Sequence, residues 1–453
     1  MKGQFMPQTI DSAALETRAA ELVDLARKAG ADQADAVVLR GRSRSVSVRL
    51  GKVEATDSSE SDDFSLRVFV GRRVASVSAN PGFDLKVLAE RAVAMAKASP
   101  EDPYATLADD TRIAREFPDL DLFDPSEIST EELTERALEA EAAALAVPGV
   151  TKTSGAGGST GMGGLVLVTS NGFSGAYMGT RFSLSVSAIA GEGTKMERDY
   201  DFDSALFLSD LRGAADIGRH AGERAAARVN PRQVDTQKNV TVVFDPRVSR
   251  SFAGHIAGAI NGASVARKTT FLKDKMGERI LKAGINLTDD PLIVRGSGSR
   301  PFDGEGVTGQ KMTMIEDGIL RNWFLSTATG RELGLETNGR GARSGTAVNP
   351  SSTNFALEPG DISREDLIRS VGTGFYVTEL IGHGVNMLTG EYSRGASGYW
   401  IENGEIAFPV SEVTIASNLK EMFMALTLAN DIDRSYSVAA PTIAVEGMTL
   451  AGK

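Results

Sequence analysis

Glycine constrains this chain more than any other residue type. It fills 48 of 453 positions, more than a tenth, and its density rises after residue 150. Glycine loses the most backbone freedom on folding, so it collects at turns and close approaches and weakens long helices. The second half is therefore expected to be turn-rich and β-heavy, within a chain of α+β class. Three regions are expected: an N-terminal helix/sheet domain over 1–100, a central α/β segment with an acidic connection over 101–230, and a β-rich C-terminal domain with a few helices over 231–453.

One stretch, Ser251 to Leu272, places glycines inside a helical pattern. Phe252, Ile256 and Ile260 recur at four-residue spacing with Ala253 and Ala257 beside them, as on a helix face packed close to something. Gly254, Gly258 and Gly262 would destabilise such a helix by roughly 1 kcal/mol each relative to alanine, which close backbone approach must offset. His255 on this apolar helix reads by default as a hydrogen-bonded core residue. A zinc helix of the H-E-x-x-H type needs two histidines one turn apart and a neighbouring carboxylate. Here Ile256 follows His255, and the next turn offers Ala259 and Ile260. Taken at face value, this helix binds no zinc.

The first hundred residues read as helix, strands, helix. Asp11 or Ser12 caps a helix to about Ala29, with Leu15, Ala19, Leu22 and Ala26 on one face. Ala36–Leu39, the alternating Val46, Val48 and Leu50, Phe64–Val70 and Val74–Ala79 read as separate strands. Pro81-Gly82 breaks the chain, and Asp84 opens a helix to about Ala98 with Leu85, Leu88, Ala92 and Met95 inward. Glu101 to Pro125 is acidic and weakly periodic, an extended surface connection. Ser129-x-x-Glu132 is a capping box for a helix to Ala146.

Gly155–Gly164 lacks a phosphate-cradle ending, so it reads as a flexible turn before a strand at Leu165–Thr169. Phe182–Ile189 alternates as a strand, and Asp210 to Ala227 is helical with His220 on its surface. Asn230-Pro231 marks the clearest boundary. Beyond it, strands are expected at Val240–Phe244, Leu292–Arg295, Gly309–Ile315, Ile319–Phe324, Phe375–Ile381, Gly398–Ile401, Ile406–Val410, Val413–Ala416 and Thr442–Val445, with a late helix over Leu419–Leu428. Asp317-Gly318 and Asn403-Gly404 are hairpin turn signals.

A net charge of −11 disfavours nucleic-acid and anionic-membrane partners, and with it a role in DNA topology. Zero cysteines exclude disulfides and thiolate metal sites and fit a reducing compartment. The N-terminus has no apolar signal core and no run of 18 apolar residues exists, so a cytoplasmic protein is expected.

Four further features bear on chemistry. His383, between Gly382 and Gly384, follows a strand and could reach a cleft or serve a tight turn. Asp303 and Glu305, two apart with Arg300 nearby, could share one face as an acid pair or form a salt-bridged turn. No pair among His255, His383, Asp303 and Glu305 has metal-ligand spacing. Arg267–Lys268 reads as a solvated pair.

Several segments together resemble the TldD/PmbA metallopeptidase family, and more closely its PmbA (TldE) branch. They are Gly254-His255-Ile256-Ala257-Gly258-Ala259 with Gly262 and Arg267-Lys268-Thr269-Thr270-Phe271-Leu272, then Asp303-Gly304-Glu305-Gly306, then Thr389-Gly390-Glu391-Tyr392-Ser393-Arg394-Gly395-Ala396 and Ile401-Glu402-Asn403-Gly404-Glu405-Ile406. The match runs nearly end to end. The TldD branch resembles H-E-x-x-x-H at this helix. Register on Gly258 and Arg267–Lys268 puts Gly254 at the first ligand, His255 at the base and Ala259 at the second ligand, so all three roles are lost.

That branch also takes a cysteine ligand near its C-terminus, and this chain has none. The resemblance therefore implies a subunit of a heteromeric zinc peptidase that processes peptides and small unfolded proteins. Zinc and the general base would come from a TldD-type partner, with no metal or cofactor in this chain. The alternative is a non-hydrolytic peptide-binding homodimer. The resemblance also implies a place near a cleft for Arg267–Lys268, where its cations could hold a peptide carboxylate or a partner's acidic edge. Edge strands of the C-terminal sheet are expected to bind substrate backbone by β-augmentation.

Overall fold

A computed structural model describes residues 12–80 and 82–453. The first half is built on one antiparallel sheet of order β3-β2-β1-β4-β5-β6. Its strands are β1 (Gln33–Arg49), β2 (Lys52–Val70), β3 (Arg73–Ala79), β4 (Val150–Thr169), β5 (Ser174–Ala190) and β6 (Glu197–Ala205). Four helices lie with it: α1 (Ser12–Lys28), α2 (Leu85–Ala98), α3 (Thr130–Leu145) and α4 (Ala214–Ala227). Alternation along β1 explains the layering. Ala34, Ala36 and Val38 pack with α1 and α2, and Val46 and Val48, on the same face further along, pack with α3 and α4. Val37 and Leu39 turn the other way, onto Phe117, Phe173 and Phe302.

Several expectations need correction here. The strands expected at Ala36–Leu39 and Val46–Leu50 are one strand, and Leu50 sits exposed at its hairpin turn with φ 54°. Met95 is exposed, because the buried stripe of α2 is Leu88, Ala89, Ala92, Val93 and Ala96. Asp11 and Pro81 lie outside the described residues. Gly155–Gly164 is the middle of β4, paired to β1 on one side and β5 on the other. Bare backbone lets helix α3 come close there: a Cβ at Gly158 would lie 3.2 Å from the Leu133 carbonyl oxygen. The acidic connection is no solvated strap, since Leu107, Ala108, Ile113, Ala114, Leu120 and Leu122 are buried. The segments before and after residue 100 contribute strands to the same sheet, joined through the β1–β4 ladder.

Beyond residue 230 come β7 (Gln237–Phe244), α5 (Pro246–Ala259), α6 (Gly262–Ala266), β8 (Leu287–Asp290), β9 (Met312–Glu316), β10 (Ile319–Leu320) and α7 (Thr327–Glu332). These lead into β11 (Gly341–Ser344), β12 (Ala347–Pro350), β13 (Asn354–Leu357), α8 (Arg364–Val371), β14 (Gly374–Ile381) and β15 (Glu391–Glu402). The chain ends through β16 (Glu405–Asn418), α9 (Leu419–Met424), β17 (Leu426–Leu428), β18 (Val438–Ala439) and β19 (Ile443–Ala451).

The larger sheet runs β16-β15-β14-β7-β19-β17, and β16 also pairs with β19, so five strands close into a ring. A second sheet, β10-β9-β8-β13-β18, lies across the same core. Closure leaves the three-residue β17 as the added outer strand, which works against substrate addition at this sheet's edge. Leu292–Arg295 forms turns, with the strand shifted to β8, and the late helix stops at Met424 before β17. Ile406–Val410 and Val413–Ala416 are one strand, kinked where Glu412 takes φ 57°. The chain is thus α+β, with a β-rich C-terminal region.

Helix α5 sits between the two C-terminal sheets. Asp245 caps it by accepting from the Arg247 amide, and Pro246 occupies its first turn. Phe252, Ala253, Ile256 and Ala259 are buried among strand residues such as Phe244, Phe375, Leu287 and Phe355.

Candidate functional site

The outward stripe of α5 is Ser251, Gly254, His255 and Gly258, the i, i+3, i+4, i+7 positions of one helix face. Gly254 is exposed, and a Cβ there would meet nothing within 4 Å. Gly258 is also exposed, with only the Met387 methyl at 3.8 Å from its would-be Cβ. The close approach expected for the glycine row is real only at Gly262, where a Cβ would lie 2.6 Å from the Phe324 carbonyl oxygen. Ala259 is fully buried, its methyl group directed into the core.

His255 is half-buried on this stripe. Its ring meets that of Tyr392 edge-on, with centroids 6.2 Å apart. Burial, helped by the Arg394 charge, pushes the imidazole down to about 4, so it is neutral at physiological pH. Its Nε2 is buried without a hydrogen-bond partner among the described residues, which differs from the satisfied core histidine expected. Arg267 and Lys268 are exposed where α6 ends, Lys268 with φ 58°, and His383 is exposed in the loop between β14 and β15. That loop is tied to the basic segment by the Phe271 amide, which donates to the Met387 carbonyl at 3.0 Å. Both segments therefore border the glycine face of α5.

Asp303 and Glu305 belong to a different neighbourhood. They lie on a turn, not a strand, with Gly306 at φ 79°. Asp303 accepts the amides of Glu305, Val307 and Gly341 at 2.8–3.0 Å, and Glu305 accepts the Thr327 amide at 2.7 Å. Both are buried, and burial pushes both carboxyls up. Three amide donors favour the charged form of Asp303, so the proton of the pair resides on Glu305, which rises to about 7. Arg67 of β2 faces Glu305 and pairs with Asp35 of β1, which also meets Arg343 at 2.8 Å. The acid pair is part of the joint between the two halves.

Sequence reasoning missed a second buried charge cluster beside α5. Asp199 accepts Arg247 and Arg228, and Arg228 also reaches Glu379 of β14 at 2.7 Å. The signal available was the alternation Asp199, Asp201, Asp203 along β6, which puts three carboxylates on one face.

For the metal implied by the family resemblance, this helix offers one potential donor, His255, and no second. Gly254 has no side chain, Ala259 offers a buried methyl, and among the described residues no three His, Asp or Glu are grouped to hold an ion. No helix among them is long and apolar enough to cross a membrane.

A closed five-stranded ring with a helix packed against it, docked on a six-stranded α+β half, defines the architecture. Profiles of the PmbA/TldA metallopeptidase domains match throughout: domain 1 at residues 34–96, the central domain at 123–229 and the C-terminal domain at 236–452. The chain belongs to the PmbA/TldD metallopeptidase family, in its PmbA branch. It is 37% identical to the metalloprotease PmbA of Escherichia coli O157:H7 over 93% of each chain. It is 33% identical to a PmbA homolog of Haemophilus influenzae, covering 95% of this chain and 94% of that one. Among solved structures, a protein of Bacteroides thetaiotaomicron described as a putative modulator of DNA gyrase superposes with TM-score 0.88 at 28% identity, covering 97% and 99% of the two chains.

Proposed function

We propose that this chain is the metal-free subunit of a heteromeric zinc metallopeptidase acting on peptides and small unfolded proteins. A TldD-type partner holds the zinc and the general base that activates water. This chain closes the cleft and limits which substrates enter. The observation that carries the reading is on α5: where a metal-binding helix needs two donors and a carboxylate, this one has an open Gly254, a buried Ala259 methyl and a neutral His255. The absence of cysteine fits a cytoplasmic setting for such an assembly.

The test is reconstitution. An unstructured peptide is incubated with this chain alone, with a TldD-type subunit alone and with the mixture, each with and without chelator. Chelator-sensitive cleavage is expected from the mixture and not from this chain. Robust cleavage by this chain alone would overturn the division of labour. A second reading, a non-hydrolytic peptide-binding homodimer, draws on Ile381 and Leu388, which stand 58% and 55% exposed on the strand and loop bordering α5. Size-exclusion chromatography of the mixture separates the two, since only the first predicts a stable hetero-complex.

A further inference from the structure

At the outward stripe of α5, two buried polar atoms without partners lie beside a cation. Tyr392 and Arg394 lie two apart on β15 and so share a face, and Arg394 acts electrostatically on both Tyr392 and His255. The Tyr392 side chain is 1% exposed, yet its hydroxyl has no hydrogen-bond partner among the described residues. The Nε2 of His255 is likewise buried and unpartnered. Arg394 donates through Nε to the Ile381 carbonyl at 3.3 Å and makes no ion pair with a carboxylate among the described residues. Folded proteins leave few buried polar atoms unmatched, and two such atoms beside an unpaired cation ask for a ligand.

We infer that His255, Tyr392 and Arg394 form a binding site for a carboxylate. The Arg394 guanidinium supplies the charge, the Tyr392 hydroxyl donates to an oxygen, and the neutral imidazole donates through Nε2 in its Nε2–H tautomer. A cation is disfavoured by Arg394, whose field already helps hold the imidazole unprotonated. A monoanion matches one guanidinium, whereas a dianionic phosphate would bring a second charge into a buried site with no second cation there. The helix surface beside these groups is bare, with no side chain at Gly254 or Gly258 to block an extended chain running along α5. The identity of the chain bearing the carboxylate, a peptide, rests on the function proposed above; the site itself does not.

The experiment uses the purified full-length chain and nuclear magnetic resonance of its histidine rings, with the His255 signal assigned through His255→Asn. N-acetylglycine is titrated in, with N-acetylglycinamide and inorganic phosphate as parallel probes. N-acetylglycine should shift the His255 signal saturably and the amide should not. Arg394→Gln and Tyr392→Phe should each weaken binding by about tenfold or more, and Arg394→Lys should restore most of it. Circular dichroism verifies that each variant is folded, and Tyr392→Phe keeps the packed ring. Free-acid and amidated alanine tripeptides, and an amidated peptide with one internal aspartate, then separate a C-terminal carboxylate from an acidic side chain. Equal response to acid and amide, tighter binding of phosphate, or unchanged binding in Arg394→Gln would overturn the proposal. Complex formation with a TldD-type subunit is read separately, so failure of this site and failure of the subunit assignment stay distinct.

Discussion

Arg247, in the first turn of α5, places its Nη1 2.9 Å from an oxygen of Asp199 on β6. This contact fixes the start of the helix that carries His255 against the N-terminal sheet. Asp199 is 3% exposed and also takes Arg228, so one carboxylate holds two guanidinium groups. Removing one member of a buried charge group typically destabilises by about 3–5 kcal/mol, because the remaining charges stay buried and unpaired. Asp199→Asn should therefore lower the urea midpoint well below that of any surface Asp→Asn control. An unchanged midpoint would mean that the two halves are held elsewhere.

Two glycines of the α5 region, Gly262 and Gly254, should respond oppositely to alanine. Gly262→Ala drives a methyl to 2.6 Å from the Phe324 oxygen and 2.8 Å from Leu325, and should cost about 1–3 kcal/mol. Gly254→Ala fills open solvent and should stabilise the chain by up to about 1 kcal/mol. Thermal unfolding of the two variants checks the contrast. Destabilisation by Gly254→Ala would show that something approaches that face.

Glu305 makes stability depend on pH in a definite direction. Its carboxyl rises to about 7 in the folded chain, chiefly through burial and then the Asp303 charge. The folded state therefore keeps a proton that the unfolded state releases near its ordinary value of 4.5. This contribution is present in full below that value and is lost as pH rises through 7. Glu305→Gln should flatten the loss, so that the variant gains on the parent between pH 5 and pH 8 in denaturant titrations. A parallel pair of curves would place the proton elsewhere.

His255 works in the opposite sense. Held neutral down to about 4, it favours the folded state above its ordinary value of 6.5, and that contribution is lost as pH falls through 4. Its ring signals in the lone chain should titrate near pH 4. A midpoint near 6.5 would mean that the ring is solvated and the Tyr392 contact is absent.

What could be read from sequence was local chemistry. The Ser129 box forms with Glu132, and the hairpin turns at Asp317-Gly318 and Asn403-Gly404 take the paired positive φ values that such dipeptides favour. Phe182, Leu184, Val186 and Ala188 are buried as their alternation predicts. What stayed hidden depends on neighbours distant in the chain. Gly155–Gly164 has hardly any side chains to signal a strand; the ladders on both sides make it one. Ala108, Ile113 and Ala114 are buried against Val37, Leu165 and Leu167 of the sheet, at spacings that follow no period. At the candidate site, the sequence showed which donors α5 lacks, but not that β15 brings Tyr392 and Arg394 beside His255, because that meeting is tertiary.

Zinc content measured together with chelator-sensitive peptide cleavage, on this chain alone and then on its mixture with a TldD-type subunit, tests the central claim most directly. The account predicts a lone chain without stoichiometric zinc and without cleavage, and a mixture with both. Stoichiometric zinc and chelator-sensitive cleavage in the lone chain would contradict it.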